Sequence, residues 1–302
     1  MDQRVRPPHA VTGFDEWVHA SLAEVESALE RWVPADAPAG LGAAMRYGVL
    51  DGGKRLRPLL VLAAAEAVDG DAEAALRAAV AVELIHAYSL VHDDLPCMDN
   101  DVLRRGKPTV HVAYGEAQAL LTGDAMQALA FELLTPASGV APALQARLCG
   151  LLARAAGHAG MAGGQAIDLA STGRRLDEPT LRDMHMRKTG ALLQASVLMG
   201  AACGDAGADA WHALADYGAA VGLAFQVVDD ILDVTQPSQK LGKTAGKDRE
   251  ANKPTYVSVL GLAASRERAL ALRGQALDAL ERSALPAQRL RALAHLVVDR
   301  TC

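Results

Sequence analysis

Aromatic side chains are scarce in this chain: three Phe, three Trp and five Tyr make up 4% of 302 residues. Strands and β-rich cores draw on aromatic and β-branched residues, whereas the 51% apolar content here is rich in Ala and Leu. That balance argues for close-packed helices. No convincing strand alternation and no fixed-period repeat occurs, so an all-α fold is expected. Cysteine is sparse as well. Cys97, Cys149, Cys203 and Cys302 are scattered without zinc-type spacing, and a chain this long needs no disulfide framework, so free thiols are expected. An excess of positive charge is also missing. A formal net charge of -6 argues against broad nucleic-acid contact, which would need a basic surface. No uncharged apolar run reaches the ~18–20 residues needed to span a bilayer, the nearest being 191–204. Arg4 and Arg6 are followed by no apolar stretch of the secretory kind, and a cytoplasmic protein is expected.

What the chain does have is acid in unexpected places. His92-Asp93-Asp94-Leu95-Pro96-Cys97-Met98-Asp99-Asn100-Asp101 follows directly on the apolar run Leu84–Val91. A second cluster, Asp229-Asp230-Ile231-Leu232-Asp233, begins 136 residues after Asp93 and again follows an apolar run, Val221–Val228. Charge in such surroundings must be compensated. Facing carboxylates repel strongly at low effective dielectric, and raised pKa values or bound cations relieve that. Oxygen donors without Cys/His spacing favour a hard cation, Mg2+ above all.

Along the chain, Thr12-Gly13-Phe14-Asp15 resembles a capping box, and Phe14, Val18, Leu22, Val25, Leu29 and Trp32 recur at helical steps behind it. A short helix over 40–50 precedes Asp51-Gly52-Gly53. Then come Lys54-Arg55-Leu56-Arg57-Pro58 and an apolar run, so cations sit beside a helix N-terminus, an arrangement that holds phosphate. A helix from 73 to about 94 carries His86 two turns before Asp93 on the same side. Pro96 should stop it within the cluster, leaving a loop to bring Asp99 back. Helices are read over 120–134, 144–170, 257–262 and 265–296, the last broken near Pro286. Lys188-Thr189-Gly190 should kink an otherwise helical stretch. Gly222, Gln226, Asp229 and Asp233 fall at steps of four, three and four and share a helix face. The segment 236–253, with Lys240, Lys243, Lys247 and Lys253, reads as a mobile loop. Two acid clusters, cations on four segments and an Ala/Leu/Phe/Gly lining between them fit a substrate with a diphosphate head and a hydrocarbon tail.

Gly53–Pro58, His86–Asp99, Leu103–Thr109, Lys188–Gly190 and Phe225–Asp233 together resemble the motif set of the trans-isoprenyl diphosphate synthase family, closest to bacterial farnesyl diphosphate synthases. Both DDxxD-type motifs are present in order, the first with a four-residue gap. The resemblance covers about residues 40–260. It implies the isoprenoid synthase fold, antiparallel helices around a deep cavity, as one domain over residues 1–302, and a homodimer. It implies isopentenyl diphosphate and allylic prenyl diphosphates as substrates, with about three Mg2+ ions. By the same resemblance Asp93, Asp94 and Asp99 would hold two ions, and Asp229 with Asp233 the third. Arg104 would grip the allylic diphosphate, and Lys54, Arg57, His86 and Arg105 would bind isopentenyl diphosphate. Lys188, Thr189 and Gln226 would face the reacting carbons, and Lys243 and Lys253 would close over the leaving group. Val102 stands where many relatives have another Asp.

Tyr88 and Ser89 precede Asp93 by five and four residues, ~6–7.5 Å along a helix axis, and a bulky Tyr88 on the pocket floor suggests farnesyl diphosphate, C15, as product. The filler Pro96-Cys97-Met98 and Asn100 resemble some geranylgeranyl diphosphate synthases, which keeps C20 open, with C10 a further alternative. Three other readings compete. An HD-type metal phosphohydrolase would use His92-Asp93 but needs more histidines and leaves the second acid cluster idle. A non-catalytic prenyltransferase-like subunit typically lacks one aspartate motif. A terpene cyclase would not need the basic isopentenyl site.

Overall fold

A computed structural model describes residues 13–50, 52–236 and 254–299. Helix follows helix, as the composition requires: α1 (Phe14–Trp32), α2 (Leu41–Val49), α3 (Leu56–Ala67) and α4 (Ala72–Asp93) come first. A hairpin of β1 (Leu103–Arg104) and β2 (Lys107–Pro108) intervenes before α5 (Val110–Tyr114), α6 (Glu116–Leu134), α7 (Pro142–Ala156), α8 (Met161–Ala170) and α9 (Glu178–His185). A π-helical turn, Met186–Gly190, joins α9 to α10 (Ala191–Ala202), which leads to the long α11 (Ala208–Thr235). Then α12 (Tyr256–Leu260), α13 (Leu262–Ser283) and α14 (Gln288–Val298) follow. Among the described residues the fold is all-α apart from that one short hairpin, as expected.

Two helices are buried almost all round, and they organise the rest. Helix α4 starts at Asp71, whose Oδ1 accepts the Ala74 N–H at 2.7 Å. Ala74, Ala75, Ala78, Ala79 and Ala81 then keep its profile narrow, while Val80, Val82, Leu84 and Ile85 fill the space against α3 and α6. Its length and apolarity would suit a membrane span, but 72% of that window is buried inside the protein. It is a core helix, and each fully buried Leu or Ile contributes about 1.5–3 kcal/mol. Helix α10 is the second, packing on α3, α4, α7 and α11 at once. The chief apolar clusters lie on its two sides, one drawn from α1, α4, α6 and α7, the other from α3, α11, α13 and α14.

Several details depart from the sequence reading. The N-cap of α1 is Gly13, in the left-handed region at φ +79°, and Thr12 of the expected capping box lies outside the described residues. The stretch 144–170 is two helices, broken over 157–160. The final stretch 265–296 is likewise two, parted around Pro286 as expected, the first beginning at Leu262. The hairpin is the one strand pair among the described residues. Its strands of two residues are too short for alternation to reveal, and the turn residues Arg105 and Gly106 take φ +53° and +78°, the paired positive values of a tight type I′ connection. Cys97, Cys149 and Cys203 are free thiols. Most of the segment 236–253 lies outside the described residues, Lys240, Lys243, Lys247 and Lys253 included.

Candidate active site

Both acid clusters sit at the C-terminal ends of their helices, Asp93 as the last residue of α4 and Asp229–Asp233 in the last two turns of α11. Helix α4 stops where Pro96 forbids α conformation at Leu95, and the loop folds straight back. The Asp99 N–H donates to the Asp93 carbonyl at 2.8 Å and the Asp101 N–H to the Asp94 carbonyl at 3.1 Å. Asp99 thus returns beside Asp93 through the backbone, as the loop reading required. Burial pushes the Asp93 carboxyl up to about 6; Lys188 pulls it back, Asp99 pushes it higher, Arg104 opposes, and Asp94 adds to the rise.

Asp94 does something else. It is 2% exposed, and its Oδ1 and Oδ2 accept from Arg104 Nε at 3.1 and 2.8 Å and from Nη2 at 2.6 Å. A carboxylate held in this two-pronged way is committed to the guanidinium. Asp94, expected as a metal ligand, also positions Arg104, and Asp93 and Asp99 complete the first cluster.

The basic segment divides in the same manner. Arg55, 3% exposed at the N-cap of α3, pairs with Glu26 and Glu83, both at 2.7 Å, and donates to the Val49 carbonyl at 2.6 Å. It ties α1, α3 and α4 together. Arg57 lies within the first turn of α3 and is 9% exposed, with its Nε buried and unpartnered. Burial lowers its pKa, and the charges of Glu83 and Asp229 oppose that. An orphaned buried guanidinium N–H is costly unless an anion arrives. His86, on the facing side of α4, is held neutral by burial first and then by Arg57, Arg105, Arg104 and Arg55. Arg105 donates to the Gly52 carbonyl, which brings the hairpin turn against the chain leading into α3. Lys54 is exposed just ahead of that helix.

On the other wall the π-helical turn puts Lys188, Thr189 and Gly190 in register with α11. Thr189 Oγ1 donates to Gln226 Oε1 at 3.0 Å, and Gln226 Nε2 donates to Asp230 Oδ1 at 2.8 Å. Lys188 Nζ donates to Asp168 Oδ2 at 2.6 Å, and Asp168 is 5% exposed on α8. Two glycines make this packing possible. A Cβ at Gly164 would lie 2.1 Å from the Lys188 backbone nitrogen, and one at Gly222 would lie 2.9 Å from the Gly190 Cα. Gly222 and Gln226 therefore share the face that meets the π turn, and Asp229 and Asp233 continue it, half-buried and buried.

Asp168 was missed by sequence reasoning. The signal was there in Gly163-Gly164, a glycine pair inside a helix, which marks close backbone approach and not flexibility. Tyr88 is half-buried in the seam of α4 and α6, its hydroxyl accepting from Gln127 Nε2 at 3.4 Å and its ring edge-on to His92 at 5.7 Å. Ser89 Oγ donates back to the His86 carbonyl at 2.8 Å. His92 Nε2 lies 3.0 Å from the Leu120 carbonyl on α6, which separates it from its neighbour Asp93 and gives the HD-type pairing no support. Among the described residues no three His, Cys, Asp or Glu side chains form a ready-made metal cage. Lys243 and Lys253 lie outside the described residues.

Comparison with known proteins bears on this geometry. A family model described as polyprenyl synthetase matches residues 38–285. The large subunit 1 of a heterodimeric chloroplastic geranylgeranyl pyrophosphate synthase of Arabidopsis thaliana is 49% identical over 273 residues, 88% of this chain and 74% of its own length. A chloroplastic geranylgeranyl pyrophosphate synthase of Capsicum annuum is 46% identical over 89% of this chain and 73% of its own. Among solved structures, an FPP/GFPP synthase from Zymomonas mobilis superposes with a TM-score of 0.84 at 40% identity, covering 95% of this chain and 99% of that one.

Proposed function

The chain belongs to the polyprenyl synthetase family of trans-isoprenyl diphosphate synthases, and on that basis we propose that it condenses isopentenyl diphosphate with allylic prenyl diphosphates, ending at geranylgeranyl diphosphate, C20. One observation carries the condensing role. The two acid clusters are linked through one turn: Lys188 is the strongest neighbouring charge on Asp93, and its neighbour Thr189 is bonded to Gln226, three residues before Asp229. The acids, the cation and the polar oxygens converge although they come from segments over 130 residues apart.

The donor chemistry suits Mg2+. Asp93 is half-buried and crowded by Asp99 and Asp94, a repulsion that a cation relieves. Mg2+ usually takes one or two carboxylates and completes its shell with substrate phosphate, which suits an ion that arrives with diphosphate. Asp93 and Asp99 on one side and Asp229 with Asp233 on the other would hold it. Bound there, it would neutralise charge on the departing diphosphate.

The side chains supply the rest. Arg104, fixed by Asp94, and Lys188, fixed by Asp168, stabilise the allylic diphosphate as its C–O bond breaks and the electron pair leaves with oxygen. Oxygens of Thr189 and Gln226 face the allylic cation that remains. Arg57, with its orphaned Nε, and its basic neighbours hold the second diphosphate, and His86, kept neutral by burial and by those arginines, adds a hydrogen-bonding group but no positive charge. The double bond of isopentenyl diphosphate then forms the new C–C bond. Loss of a proton restores an alkene, with released diphosphate as acceptor.

The C20 product rests on the names of the curated relatives, which at 46–50% identity are geranylgeranyl pyrophosphate synthases. A second reading, C15, is favoured by one residue: Tyr88 stands five residues before Asp93, where a bulky ring shortens the space for a growing tail. Incubation with Mg2+, dimethylallyl diphosphate and radiolabelled isopentenyl diphosphate, followed by chain-length chromatography, separates the two. C20 is expected. An end point of C15 that lengthens in Tyr88→Ala replaces that reading with the second, and the absence of any elongated product removes both. Homodimer formation is part of the proposal and is supported by exposed apolar residues on the hairpin, α5 and α6.

A further inference from the structure

The second aspartate of the α11 cluster has no part in the chemistry described so far, yet it is 3% exposed and closely bound. Its Oδ2 accepts the buried backbone N–H of Tyr256 at 2.7 Å, and its Oδ1 accepts the Gln226 amide at 2.8 Å. The His185 ring nitrogen Nε2, 3.7 Å from Oδ2, is beyond hydrogen-bond reach. A carboxylate offers only acceptors, so the Gln226 group facing it must be NH2. The other end of that amide is then an oxygen, and the Thr189 hydroxyl 3.0 Å away must donate to it. With its single proton spent on Gln226, the Thr189 oxygen is left with lone pairs for its remaining neighbours.

Resting on the condensing role above, we propose that Asp230 is a positioning residue that sets the hydrogen-bond polarity of the Asp230–Gln226–Thr189 relay, so that Thr189 meets the developing allylic cation with lone pairs and never with its proton. Asp230 touches no substrate in this scheme and acts through Gln226.

The relay can be reversed and restored by substitution. In Asp230→Asn the one remaining oxygen must stay on the Tyr256 N–H, which puts the Asn amide NH2 against Gln226 and turns that side chain around. Gln226 then donates to Thr189, whose proton must point elsewhere. Steady-state kinetics with Mg2+ should show kcat reduced about tenfold or more, with KM for both diphosphates within about twofold, because the loss falls on the transition state. Gln226→Glu alone sets carboxylate against carboxylate and should be equally poor. The pair D230N/Q226E restores donor-to-acceptor matching at unchanged total charge and should recover kcat to within about threefold of the parent. Parent-like kcat in D230N overturns the inference. So does a double variant no better than either single one, which is the outcome of a purely structural role. If neither D230N nor the double variant folds, as judged by circular dichroism and thermal melting, Asp230 is structural and the inference again falls. A parent protein without condensing activity overturns the underlying reading itself, whereas an active parent with unchanged D230N overturns only the relay.

Discussion

At the scale of single residues, pairs of neighbouring charges have been divided between structure and chemistry. Asp94 holds Arg104 while Asp93 next to it is the proposed cation ligand, and Arg55 ties three helices together while Arg57 two residues on keeps an unpartnered N–H. Sequence spacing could not make this division, because both members of each pair have the same chemistry and only burial and reach separate them. His185 shows what such burial does to pH dependence. It is buried and stacked on Tyr256 at 5.6 Å; burial pushes its pKa down to about 4, with Asp168 opposing and Lys188 adding to the fall. The unfolded chain, with an ordinary histidine near 6.5, takes up the proton first. Stability from this group is therefore complete above about pH 6.5 and is lost as pH falls toward 4. In urea titrations at pH 7 and pH 5, His185→Gln should show a smaller drop in midpoint than the parent protein. An equal drop in both would mean that His185 is not the group responsible.

At the scale of elements, the π-helical turn at Met186–Gly190 is the point on which the site depends. Sequence reasoning anticipated a kink there from Thr189 and Gly190, and the helix there is widened into a π turn. It could not anticipate that α8 and α11 would press their backbones against that turn from both sides, since this depends on what a glycine faces and not on the glycine itself. Gly164→Ala tests the contact. The added methyl would sit 2.1 Å from the Lys188 nitrogen, so α8 must move away and take Asp168 with it. Overpacking of this sort costs about 1–3 kcal/mol. Thermal melts should register that loss, and condensation should fall further than stability alone explains because Lys188 loses its anchor. A variant with the parent's melting temperature and activity would show that the contact is slack. The hairpin makes the opposite point, since two residues per strand leave no periodicity, and only the Arg105-Gly106 turn hinted at it.

At the scale of the whole molecule, apolar surface is concentrated on consecutive segments: Val102 and Leu103 at the hairpin, Val112 and Tyr114 on α5, Leu120 and Leu121 on α6, each at least 38% exposed. Side chains of this size gathered on adjoining elements suit a symmetric interface with a second copy. In size-exclusion chromatography with light scattering the parent should run as a dimer, and Val112→Glu combined with Leu121→Glu as a monomer. A monomeric parent, or a variant that stays dimeric, would refute the interface. The sequence by itself settled the helical class, the approximate helix boundaries, both acid clusters, an irregularity at 188–190 and the family, because helix periodicity, proline and glycine punctuation and the DDxxD-type motifs are local and survive without tertiary context. What only the tertiary structure decided is which acids are already spoken for, that Asp168 anchors Lys188, and that α8 and α11 clasp one turn. Those facts depend on side chains from distant segments meeting in a water-poor interior, where a carboxylate's role is fixed by the donor within 3 Å of it and not by its neighbours in the chain.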